Sequence, residues 1–145
     1  MIRKAEEKDA ATVAALAGKL WPGHSKEEME AELSDLLENE DAAVFLFYCG
    51  EGEAAGFAQC GLRRDYVEGT SSSPVGYLEG IYVDEPARGR GAARQLLHAC
   101  ENWARDRGCR EFASDCELDN ETSRLFHLAA GFEEANRIIC FTKKL

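Results

Sequence analysis

The chain has 145 residues, 45% of them apolar and 30% charged, which fits one folded domain with a real core and excludes a disordered segment. Its 27 acidic against 17 basic side chains leave a net charge of -10, which argues against nucleic acid and anionic membranes as partners and admits a cationic substrate. The opening MIRKAEEKD lacks the apolar core of a signal peptide, and no stretch approaches the ~18 apolar residues of a membrane span, so a cytoplasmic location is expected.

In chain order, IRKA reads as a short first strand, and KDAATVAALAGKLW spaces Val13, Leu16, Ala17 and Leu20 as one face of a helix. HSKEEMEAELSDLLEN predicts a second helix, with Ser25 and Glu28 at capping-box spacing. AAVFLFYC and AAGFAQCGLRR, joined by GEGE, predict two strands and a tight turn, and VGYLEGIYV predicts a third strand after a polar loop. A helix over Ala92–Arg107, ending at Gly108, and the strand REFASD complete a right-handed parallel crossover. DNETSRLFHLAAGF predicts a last helix closed by Gly131, and RIICFTKK a last strand. The fold class is α/β or α+β with a mixed sheet. The six cysteines form no CxxC pair and mostly sit in apolar stretches, so reduced, mostly buried thiols are expected and no metal site.

One junction stands out. PARGRGAARQLL sets Arg88, Arg90 and Arg94 beside Gly89 and Gly91 where a loop becomes a helix, with no acidic residue from Pro86 to Ala99. A helix start favours negative charge, so this cluster opposes the helix dipole unless an anion sits there. Glycines let backbone N–H groups reach a phosphate, and the junction reads as a pyrophosphate cradle rather than a loop of solvated arginines. It lacks the GK[ST] of a Walker loop, and Arg94 stands where a dinucleotide fingerprint needs Gly or Ala.

RGRGAA fits R-x-x-G-x-A, and NETSRLFHLAAGF fits N-x-x-[AS]-x-x-[LF]-[YH]-x-x-x-G-F. Together with the order of elements, these motifs resemble the GNAT superfamily of N-acetyltransferases. The resemblance implies a mostly antiparallel mixed sheet of about six to seven strands flanked by about four helices, with acetyl-CoA as acetyl donor. It sets the pyrophosphate on Arg88, Gly89, Arg90, Gly91, Ala92 and Ala93. The pantetheine arm would then pair with the main chain of Ile81, Tyr82 and Val83, with Asn120 and Ser123 on its other side. His127 occupies the place of a tyrosine held to protonate the departing thiolate, a role that histidine can take, as it can also simply pack against the cofactor arm.

KLWPGH, YVEGT, SPVGYLEGIYV, EFASD, LDN and FTKKL further resemble the short bacterial aminoglycoside 6′-N-acetyltransferases. This resemblance implies acetylation of a cationic aminoglycoside, antibiotic resistance and a homodimer. It implies an acceptor site of Trp21, His24, Tyr66, Glu79, Asp115 and Asn136, although several relatives carry a carboxylate where Asn136 stands. The residues give independent support. Glu79 lies in an otherwise apolar strand, where a carboxylate must be solvated, paired or used, and Asp115 ends the neighbouring strand. The pair would bind ammonium groups and relieve the attacking amine of a proton. Each candidate also has a plainer role: a salt bridge from Glu79 to an arginine, a loop cap at Asp115, packing at Trp21 and Tyr66, and a helix entry at His24. Gly80 marks a bulge or a close approach, and N–H groups near it would hold the developing oxyanion in a direct transfer. The same fold acting on a polyamine or a protein amine, and a CoA-binding module without turnover, remain as alternatives.

Overall fold

The computed structural model describes all of Met1–Leu145. β1 (Ile2–Lys4) leads through a 3₁₀ turn, Glu7–Asp9, into α1 (Ala10–Leu20) and α2 (Lys26–Glu38). β2 (Ala42–Tyr48), β3 (Ala54–Arg63) and β4 (Val75–Val83) follow as antiparallel neighbours. α3 (Ala92–Asp106) then crosses over to β5 (Phe112–Ser114), which pairs parallel with β4, and α4 (Glu121–Ala129) comes last. The sheet order is β1-β2-β3-β4-β5.

Period-two alternation gives the sheet two buried faces. On β2, Ala43 and Phe47 pack with α3, through Leu96, Leu97, Cys100 and Trp103, in a cluster of 14 buried residues. Val44 and Leu46 face the other way, into a cluster of 10 built on Val13, Leu16 and Ala17 of α1 and Met29 and Leu33 of α2. Ser25 Oγ caps α2 by accepting from Glu28 N at 3.1 Å, as its spacing predicts. Arg3 ties β1 to the start of α1 through a forked pair with Asp9, at 2.9 Å on both arms, and donates to Tyr48 Oη at 2.8 Å. That guanidinium holds the Asp9 carboxyl below the usual carboxylate range.

Three expectations are corrected. The sheet has five strands, not six to seven, because RIICFTKK pairs with nothing in its own chain: Ile138 and Phe141 are 71% and 88% exposed. A strand exists only by exchanging hydrogen bonds with a neighbour, and this segment finds none. β5 covers only three residues of REFASD, since its pairing with β4 is limited to Gly76, Tyr77 and Leu78. The thiols are evenly divided: Cys60, Cys100 and Cys109 are buried, whereas Cys49, Cys116 and Cys140 are exposed.

Candidate active site

The site is built around β4. β5 pairs with it only at Gly76, Tyr77 and Leu78, so beyond Leu78 the edge of β4 facing β5 carries no strand. Glu79 to Val83 gives an open main-chain edge about 16 Å long at ~3.3 Å per residue. Beyond it, Gly89 and Gly91 adopt φ of +79° and +76°, a region costly to any other residue, and Gly91 opens α3 with no side-chain cap and no acidic first turn. The N–H groups of Ala92, Ala93 and Arg94 lie beyond reach of intrahelical acceptors and remain for an anion. Arg88 and Arg90 are exposed beside them, while Arg94 donates to the Ala129 carbonyl and so ties α3 to α4. An acid-free, uncapped helix start with arginines and two left-handed glycines fits a pyrophosphate, and the open edge fits an extended amide-bearing arm. Arg88 Nε already donates to the Val83 carbonyl at 2.8 Å, so of the three strand residues only Ile81 and Tyr82 keep carbonyls without a side-chain donor.

Across the gap, Asn120 caps α4 by accepting from Ser123 N at 3.1 Å. His127 Nδ1 lies 2.7 Å from the Ser123 carbonyl and therefore carries the proton there. Its Nε2 is 2.8 Å from Ser114 Oγ, which itself lies 3.3 Å from the Leu78 carbonyl, where β4 and β5 part. His127 thus reaches the apex of the gap through Ser114, a residue to which the sequence reading gives no role.

Along its other edge β4 pairs Gly80 with Gln59 and Leu78 with Cys60, leaving Glu79 as the extra residue of a β-bulge. The bulge turns Glu79 out of the apolar strand toward solvent, which is how a carboxylate is accommodated there. Arg63 Nη2 donates to both Glu79 oxygens at 2.9 and 3.1 Å, and its guanidinium lies 3.4 Å from the centroid of the Tyr77 ring. Tyr77 Oη donates to Asp115, and burial together with that carboxylate pushes the phenol's pKa up, so it stays a donor. The two carboxylates predicted to converge are therefore joined through Tyr77 and Arg63, neither of which the sequence singles out. Asp115 acts as an acceptor for Tyr77.

Around this network, Trp21 lies on Gly80 so closely that a Cβ there would run into the indole. Trp21 and His24 line a cavity of about 230 Å³ with Glu32 and Gln59. Val67 packs on Val75 and Tyr77, bringing the loop of Tyr66 and Glu68 to the opposite rim. Asn136 Nδ2 donates to Glu68 Oε1 at 3.2 Å, so a carboxylate stands beside this amide. Tyr66 is 75% exposed, a free aromatic face.

The Acetyltransferase (GNAT) family model matches residues 11–132. The chain is 45% identical over 144 residues to an aminoglycoside N(6′)-acetyltransferase type 1 of Stenotrophomonas maltophilia, covering 99% of this chain and 93% of that protein. It is 40% identical to the protein of that name from Klebsiella aerogenes, covering 100% and 97%. Among solved structures, AAC(6′)-Iy in complex with the bisubstrate analog CoA-S-monomethyl-acetylneamine matches with a TM-score of 0.94 at 39% identity, covering 100% of this chain and 98% of that one. The open strand edge, the uncapped arginine-flanked helix and these matches agree: the chain belongs to the GNAT family of acetyltransferases.

Proposed function

We propose that the protein transfers an acetyl group from acetyl-CoA to the 6′-amine of aminoglycosides by direct attack in a ternary complex, and so confers resistance. The carrying observation is the bulge at Glu79, which sets a carboxylate between the open β4 edge and the acidic, aromatic face where Trp21 lies. Arg88 to Ala93 hold the pyrophosphate, and Ile81 and Tyr82 the arm. Acetyl-CoA, when bound, supplies a thioester carbonyl as the electrophile. Glu79 and Asp115 bind the incoming ammonium, and Glu79 or Asp115 accepts its proton, leaving a neutral amine to attack. Trp21 and Tyr66 offer flat faces to sugar rings, with Glu68 and Asn136 at the rim. As the thioester C–S bond breaks, His127, with Nδ1 bonded to the Ser123 carbonyl, can pass a proton held at Nε2 through Ser114 Oγ to the departing thiolate, so that CoA leaves as a thiol.

We place the reaction in the cytoplasm, where acetyl-CoA is made; no helix is long and apolar enough to cross a membrane. A homodimer completes it. Ala135 packs on Gly69, after which Ile138, Ile139 and Phe141 lie exposed, a segment of strand-like composition suited to pairing with a second copy. A thiol-release assay against aminoglycosides, polyamines, a ribosomal-protein N-terminal peptide and a lysine peptide tests the acceptor class. Turnover of aminoglycosides, with the acetyl group found on the 6′-nitrogen, supports the reading. Preference for another amine, or acetyl-CoA binding without thiol release from any acceptor, overturns it.

A further inference from the structure

We infer that Arg63 is the placeholder cation of the acceptor site: without an acceptor its guanidinium fills the seat, between Glu79 and the Tyr77 ring, that the acceptor's ammonium takes. The inference rests on the acceptor assignment above. Three contacts define the seat. Arg63 forks onto both Glu79 oxygens, lies face-on over Tyr77, and through that tyrosine's hydroxyl is coupled to Asp115. A carboxylate fork beside an aromatic face is what an alkylammonium ion needs. Arg63 ends β3, and its side chain is 44% exposed, so it can swing into solvent without disturbing the core.

A pair this exposed is held weakly, so an acceptor with several ammonium groups displaces Arg63, whereas a monoamine gains little from replacing a forked, stacked guanidinium. Arg63 thereby sets both the affinity for acceptors and the preference for polycations. If its function were only to orient Glu79, removing it would weaken acceptor binding. If it holds the seat, removal strengthens binding.

The sign decides, and calorimetric titration of kanamycin into the full chain reads it. Arg63→Met should tighten binding roughly fivefold and steepen its salt dependence, with Arg63→Lys in between. In a Glu79→Gln background the effect of Arg63→Met should vanish. KM for kanamycin should fall in parallel while acetyl-CoA affinity stays unchanged. Unchanged or weaker kanamycin binding by Arg63→Met, a gain that persists without Glu79, or loss of acetyl-CoA binding overturns the placeholder role. If the unaltered protein binds no aminoglycoside, the acceptor assignment itself falls, and Arg63's role with it. Tighter binding with acetylation at another amine would leave the placeholder standing and remove only the 6′ assignment.

Discussion

Glu79 owes its place to a single extra residue. Without the bulge, the alternation of β4 would continue unbroken, and neither its fork with Arg63 nor its position beside the open edge would follow. In the proposed site the cofactor is held mainly by backbone and the acceptor by charge, so Glu79→Gln and Asp115→Asn should each retain acetyl-CoA affinity. Their kcat/KM for a 6′-amino aminoglycoside should fall by about 10² or more. Calorimetry with acetyl-CoA and steady-state thiol release check both halves, and wild-type rates in both variants would displace the acceptor site. The carboxylates were legible as misplaced charges in or beside an apolar strand. Arg63, Tyr77 and Ser114 were not, because an ordinary arginine, tyrosine or serine becomes part of a site only once bulge and register bring it to a partner.

At the scale of elements, the decisive piece is the turn from β4 into α3. Gly91 sits at φ +76° with open space around its missing Cβ, so its constraint is conformational as well as steric toward a ligand. Gly91→Val should therefore weaken acetyl-CoA binding at least tenfold, through backbone strain and the side chain's intrusion on the anion. Leu96, Leu97, Cys100 and Trp103 keep α3 packed, so the thermal transition should stay cooperative. Unchanged acetyl-CoA affinity would count against the cradle. This element was legible because its signals are local: acid-free composition, two glycines and a helical apolar stripe. The last strand was misread because RIICFTKK has strand composition, while pairing is a property of what lies alongside.

Across the whole molecule, a negatively charged body carries one short basic junction on β4's open side and the carboxylates Glu32 and Glu79 near Trp21, an arrangement suited to an anionic donor on one side and a cationic acceptor on the other. The exposed segment after Arg137 belongs to this scale too. Sedimentation should give twice the chain mass, and truncation after Arg137 should give a monomer; a monomeric full-length chain would remove the dimer from the account. In the proposed acceptor site a 6′-amine brings both the nucleophile and the charge that Glu79 and Asp115 would bind, and a 6′-hydroxyl brings neither, so discrimination of up to ~10⁴-fold is expected of a site built for that group. Thiol release from acetyl-CoA should accordingly be rapid with kanamycin and at background with paromomycin, and comparable turnover of the two would contradict it.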